Sequence, residues 1–376
     1  MAKDTSNHCC EQFKTVIGGQ ALIEGIMMRG PEKTAMAVRT PQGEIVIECS
    51  ETKTLTRAKF FKLPIIRGVF SYLDSMVLGT KCLMRSAEIS GLEEAEAELR
   101  REKEEKKARK AAKKKAKNGE ATEIVAAPES ENNSADETVT KVEQKTEEKK
   151  QSSAVINIVM AFSVILGIGF SILLFMILPS FLYEGAIYLM PFLKNGNSAI
   201  DSLIKSVFEG LLKIVILVGY MAGVSLMKDI KRTFMYHGAE HKAIFCYEAG
   251  LELTVENVRK QKRFHPRCGT SFLILMLLVS IFVSFFIDPL FILIFGFTPV
   301  LVIRILIKLL MLPLIVGVGY ELIKLAGRYD NAFTRIISAP GVWLQHITTK
   351  EPEDGMIECA IAALNEVIPD NGEDNW

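Results

Sequence analysis

The sequence predicts a mainly α-helical polytopic membrane protein, with about four transmembrane helices and a small cytoplasmic α+β portion at its N-terminus. Three observations predict it. Charged residues make up 24% of the 376-residue chain and hydrophobic residues 49%, yet the charge collects before residue 151 and the apolar residues after it. Beyond that point lie four almost uncharged runs, each long enough to cross a hydrocarbon core, which takes roughly 20 helical residues. Ahead of it, residues 13–50 alternate apolar and polar positions around the Pro-Gly turn "TPQGE", the pattern of a small hairpin or sheet.

The opening "MAKDTSNHCCEQFK" has no apolar run behind a basic lead, so no cleaved secretory signal is expected. Seven cysteines without regular spacing argue against a disulfide framework, and Cys9 and Cys10 read as free thiols of a reducing compartment. Residues 1–92 are expected to form one cytoplasmic portion. In it the strands lead to an amphipathic helix at 61–88, with Val69, Leu73, Met76 and Val77 near one face, suited to the membrane surface or to the sheet. Residues 93–150 contain no aromatic residue and too little apolar surface to order themselves, which predicts a charged helix fraying into a disordered linker. The basic run "KKARKAAKKKAK" reads as a solvated tether, and with 45 basic residues against 44 acidic ones no specific nucleic-acid binding is expected.

The membrane domain is expected over 151–325, with spans at 154–182, 203–227, 271–287 and 299–323. Asp288-Pro289 is expected to end the third span before a short apolar turn. Arg304 and Lys308 in the fourth are expected to snorkel or to face the bundle. Lysine and arginine crowd the segment before the first span and residues 228–267, whereas the connections 183–202 and 288–298 hold only Lys194. The positive-inside rule therefore places both termini and the loop 228–270 in the cytoplasm. Residues 326–376 read as a cytoplasmic helical tail, with Trp343 in an interfacial turn near the headgroups and a later helix burying Met356, Cys359, Ala360 and Ala363. The lipid bilayer is the expected partner, and a homo-oligomer is left open.

The loop 228–270 carries the chemistry. In "FMYHGAEHKAIFCYEAG", Ile230, Phe234, His237, His241 and Phe245 recur at helical steps, which puts both histidines on the packing stripe of a helix expected to continue from the second span to Gly250. Imidazoles four positions apart on one helix face can reach a single zinc ion, and Glu240 beside them can act as general base. His-x-x-Glu-His is the inverted zincin arrangement. The same spacing also suits two partly buried helix histidines with backbone or carboxylate partners. Further donors are His265 and Cys268 in "HPRCGTSF", where Thr270 or Ser271 can cap the next helix. Four donors, His237, His241, His265 and Cys268, would close a structural zinc site. Glu321, an acid inside the fourth span, is the competing ligand and would leave a position open for water. Glu248 lies too far along the helix to ligate directly.

Four motifs, "VIGGQALIEGIMMRGP" (16–31), "HGAEHK" (237–242), "HPRCGTSF" (265–272) and "PGVWLQHITTKEPED" (340–354), resemble those of the YqhQ-like bacterial membrane proteins. The resemblance implies a bacterial cytoplasmic-membrane protein and a metal-dependent enzyme. Within the first motif, Gly18, Gly19 and Gly25 read as turn residues, and Gln20, Glu24 and Arg29 as residues that fold over the metal cluster to bind a substrate. Three functions are thus open: a zinc-dependent hydrolase with Glu240 as base; a scaffold with a structural His3Cys zinc; and a transporter or channel using Arg304, Lys308 and Glu321.

Overall fold

A computed structural model describes residues 13–52, 63–91, 162–194, 196–329 and 331–369, with Gly372 and Asp374. Cys9, Cys10 and the expected linker 93–150 lie outside the described residues. The five described cysteines are unbridged.

Four strands, β1 (Gly18–Leu22), β2 (Gly25–Arg29), β3 (Lys33–Arg39) and β4 (Ile45–Glu51), form an antiparallel meander in chain order. Its register pairs Gly19 with Met28, Met27 with Met36 and Ala37 with Ile47. The turn in "TPQGE" joins β3 to β4, and Gly43 takes the left-handed conformation it needs, with φ 93°. The expected one-sided alternation holds only in part, because β2 and the middle of β3 are buried on both faces. Ile26, Met28, Ala35 and Ala37 face one core, while Leu22, Met27, Met36 and Val38 face a second. A sheet covered on both sides has no solvent face to demand polar residues.

Helix α1 (Ile66–Ile89) covers the second face through Leu78, Cys82 and Ile89. Its expected apolar stripe does not pack on the sheet: Leu73, Met76 and Val77 are about half exposed, while Gly68, Gly79 and Ser86 are the buried positions. Small residues let this helix approach its neighbours closely, leaving the large apolar ones outside.

Among the described residues, four helices are long and apolar enough to cross a membrane. They are α2 (Phe162–Leu189), with a π-helical turn at Leu173–Ile177; α3 (Ser198–Val224); α6 (Gly269–Phe295); and α7 (Leu301–Arg328). The first 21 residues of α2, 162–182, belong to a separate compact unit. Within the other unit, α6 packs against α3 and α7. Large apolar side chains such as Phe282, Leu293, Val302 and Leu310 stand exposed on these helices, as contact with lipid requires.

Two boundaries differ from expectation. Asp288-Pro289 does not end the third span, which continues to Phe295 and is capped by Gly296. The Asp288 carboxylate is paired with Arg304 at 2.6 Å and accepts a hydrogen bond from Ser202 at 3.1 Å, so its charge is satisfied inside the bundle. Arg304 thus faces the bundle, as does Lys308, 3.5 Å from Glu209. The histidine-bearing helix is also no continuation of the second span. The chain becomes extended at Met227 (ψ 135°), Ser225 returns its hydroxyl to the Ala222 carbonyl, and α4 (Lys228–Glu248) starts afresh.

The remaining helices are the short α5 (Val255–Arg259), α8 (Ala332–Thr348) and α9 (Asp354–Asn365). The segment around Trp343, expected as a turn, is helical through Pro340 and packs on α6, with Trp343 exposed. As expected, Met356, Cys359, Ala360 and Ala363 of α9 are buried. They form one core with Ala239, Ala243 and Cys246 of α4 and the first face of the sheet. Alanines and a cysteine at this junction bring the backbones of α4 and α9 close together. That approach seats the histidines of α4 beneath β1.

Candidate metal centre

His237 and His241 lie one turn apart on the buried face of α4, with 9% and 1% of their surfaces exposed. Each ring donates its Nδ1 proton to a carbonyl oxygen, His237 to Thr348 at 2.9 Å and His241 to Arg263 at 2.5 Å. A carbonyl can only accept, so in the neutral form of each ring the lone pair is on Nε2. His237 Nε2 meets the Cys268 sulfur at 3.0 Å, whereas His241 Nε2 is buried with no hydrogen-bond partner. One nitrogen of each ring and the Cys268 sulfur lie within 4.8 Å of one another.

Cys268 itself caps α6, a role expected of Thr270 or Ser271. Its sulfur accepts from the Thr270 amide at 3.4 Å and contacts the Thr270 hydroxyl at 3.2 Å. Burial pushes the Cys268 thiol up, but His237 and His241 together hold it well below its ordinary value. Burial likewise disfavours a charged His237, and the Cys268 sulfur beside it outweighs that and raises its pKa. A thiolate at a helix N-terminus flanked by two imidazoles is a ready metal ligand. The donor set fits zinc, which takes thiolate and imidazole together, and the orphaned Nε2 supplies the lone pair such an ion would use.

Glu240 points from the same helix turn toward the sheet and is buried. Burial raises its pKa, against the lowering effects of His241, His237 and the Gly19 amide. A Cβ on Gly19 would lie 2.9 Å from the Glu240 side chain and 2.8 Å from the Met27 carbonyl oxygen, so β1 crosses directly over the carboxylate. A cavity of about 360 Å3 runs between that strand and the cluster, lined by Gly19, Gln20, Arg29, Glu240, His241 and Cys268 among others.

Two expected site residues are placed elsewhere. Glu321, the competing ligand, is held by the Arg67 guanidinium through two hydrogen bonds of 2.5 and 2.6 Å and is not in the cluster. A bidentate guanidinium is a strong partner for a carboxylate. Glu24 leaves the cavity for Arg232, at 2.5 and 2.6 Å, and the Tyr236 hydroxyl, because its positive φ of 50° in the β1–β2 turn directs it to α4. Gln20 and Arg29 do line the cavity, Arg29 paired with Asp74 at 2.6 Å.

His265 stands beside the cluster, its ring centroid 5.5 Å from that of His241. Its Nδ1 accepts from the Arg267 amide at 3.3 Å and its Nε2 faces the Arg267 guanidinium at 3.2 Å. Burial pushes its pKa down to about 4, so it stays neutral at physiological pH. Glu248 is ion-paired with Arg267 and accepts from the Thr15 amide at 2.9 Å.

Two supporting residues, Gln345 and Gly238, are not evident from the sequence. Gln345 is fully buried; its amide oxygen accepts from His265 N, and its nitrogen donates to His265 O and to Ser271 Oγ, at 2.7, 2.7 and 3.0 Å. It fixes the loop that carries Cys268. Its only sequence signal was a polar residue on the packed face of an amphipathic helix. Gly238, inside the histidine motif, makes room for the chain leaving α8: a Cβ there would lie 2.0 Å from the Lys350 carbonyl oxygen. Gly238→Ala is therefore expected to push residues 348–350 off α4, cost about 1–3 kcal/mol of stability and remove the Thr348 acceptor from His237. Thermal unfolding with metal affinity measured alongside will check this; an unchanged midpoint and affinity would refute it.

The profile of a family described as "Protein of unknown function (DUF1385)" matches residues 63–370. The chain is 31% identical over 355 residues to "Uncharacterized protein YqhQ" of Bacillus subtilis (strain 168), covering 93% of this chain and 92% of that protein. No solved structure matches it. A match over most of the chain, together with four spans and a small N-terminal sheet, shows that this chain belongs to the YqhQ-like family of uncharacterised membrane proteins.

Proposed function

We propose that the chain is a metal-dependent hydrolase of the bacterial cytoplasmic membrane, with zinc as its metal and its site on the cytoplasmic side, where both termini and the loop 228–270 also lie. One observation carries the reading. The cluster offers three donors, His237, His241 and Cys268, and its free side is the wall of a cavity that also holds Glu240. Three protein ligands with an open position belong to catalytic zinc, four to structural zinc. The structural reading needs His265 as a fourth ligand, and the lone pair of its neutral ring, at Nδ1, already accepts from the Arg267 amide.

When bound, zinc would supply a Lewis acid that acidifies water and polarises a substrate oxygen. Glu240 accepts the proton of the attacking water on a carboxylate oxygen. Its raised pKa suits it to return that proton to the leaving group. The Thr348 and Arg263 carbonyls take the Nδ1 protons of the two imidazoles, so that the neutral rings would present Nε2 to the ion. Strand β1 and Gly19 keep bulk water from the carboxylate, while Gln20 and Arg29 face whatever enters the cavity.

Metal analysis of the purified full-length chain is expected to find one zinc per molecule. Chelation should abolish its hydrolysis of a panel of ester, amide and phosphodiester substrates, and zinc should restore it. A chain that holds no metal, or hydrolyses equally well after chelation, would sink the proposal.

A further inference from the structure

A second and larger cavity, of about 480 Å3, adjoins the first; His265 and Arg267 line both. Its charge is one-sided. Lys14, Lys260, Lys262, Arg267 and Arg335 line it, and Glu248 is the single acid on its described walls. Glu248 is neutralised by Arg267, and Lys260 pairs with Glu256 at 2.7 Å. Lys14 and Lys262 have no ion-pair partner among the described residues. Positive charge gathered in a concave wall focuses potential and favours an anion over water.

The cavity also has a fixed level with respect to the spans. Ala326 and Gly327 in its wall belong to the last turn of α7, and Pro266 and Arg267 immediately precede α6. One end of each span lies there, the level at which headgroups are expected. Its far wall is the first part of α8, through Thr334, Arg335 and Ser338. The outer side of that helix exposes Phe333 (58%), Ile336 (72%) and Trp343 (58%), the side chains of a helix seated on a bilayer surface. A cationic hollow beside an apolar, lipid-facing helix matches a molecule with an anionic head and an apolar tail.

We propose that this cavity is the headgroup subsite of the candidate hydrolase, and that the substrate is a membrane amphiphile whose phosphate-bearing headgroup is negatively charged overall. The substrate assignment rests on the hydrolase reading; the anion site does not. Arg267, standing between the two cavities, holds Glu248 and donates to the Thr15 carbonyl at 3.1 Å, so it positions the wall the headgroup would meet. Lys14 and Lys262 supply the attraction. The bond to be cleaved then lies toward Glu240, within the smaller cavity.

Native mass spectrometry of the full-length protein in detergent, titrated with phosphatidylglycerol or with zwitterionic phosphatidylcholine, tests this. Phosphatidylglycerol is expected to be retained at one molecule per chain, and phosphatidylcholine is not. Lys14→Ala/Lys262→Ala should weaken that retention roughly tenfold, the effect of losing one or two charge-assisted contacts. Lys228→Ala/Lys231→Ala, which removes exposed lysines at the start of α4, should leave it unchanged. Inorganic phosphate, followed by thermal unfolding, forms the second arm. Stabilisation by phosphate without lipid retention assigns the cavity to a soluble phosphate compound and overturns the amphiphile. Equal retention of both lipids, or no difference between the double variant and the parent in either arm, overturns the anion site. The titration is repeated with His241→Ala. Retention that survives there shows the anion site to stand even if the hydrolase reading has failed.

Discussion

Glu240→Gln is expected to keep the metal and lose the chemistry. The substitution preserves shape beneath Gly19 but removes the group that takes the proton, and general-base catalysis of this kind is worth about 10²- to 10⁴-fold. The drop should appear in kcat/KM with metal content unchanged. The pH profile carries a second signature. Burial raises the Glu240 pKa, and the base form is the deprotonated one, so activity rises with pH through a value above the ordinary carboxylate range. That acid limb should be absent from the residual activity of Glu240→Gln. A variant that holds zinc and turns over as the parent does would remove Glu240 from the mechanism.

His241→Ala is expected to separate the stability of the chain from its metal. In the parent, a ligand that binds only the folded protein stabilises it by roughly 3 kcal/mol at a hundred times its Kd. Chelation should therefore lower the unfolding midpoint of the parent. The variant lacks the Nε2 that stands buried and unpartnered, so its midpoint should be the same with zinc or with chelator. If chelation shifts both chains equally, the metal sits somewhere else. If it shifts neither, and the parent holds no zinc, the two histidines are core residues with carbonyl partners.

The spans were legible because crossing hydrocarbon requires a long run without charge, and such a run is visible in one dimension. Their ends were less so. Whether Asp288 terminates a helix depends on Arg304 and Ser202, which lie 16 and 86 positions away. The facing of His237 and His241 to one side was likewise legible, since helical periodicity alone fixes it. What each histidine hydrogen-bonds was not, because Thr348 and Arg263 contribute backbone carbonyls, and a carbonyl leaves no mark in a sequence. Glu321 stands out in the sequence as an acid inside a span and Glu24 as a polar residue of a Gly-rich motif, but the arginines that claim them, Arg67 and Arg232, come from remote segments. Strand alternation in β2 and β3 misled for a simpler reason: burial on both faces erases the polar half of the pattern.

The Thr348 carbonyl that orients His237 comes 111 residues later in the chain. At ribosomal speeds of about 5–20 residues per second, the histidines of α4 wait roughly 5–20 s between their own synthesis and that of their orienting partner. During that time two membrane spans are made and inserted. The cluster is thus assembled after insertion, when the segment following α8 docks on Gly238. On the metal-site proposal, metal uptake is then a late step of biogenesis, because a chain halted before residue 348 has all three donors but lacks the carbonyl that orients His237.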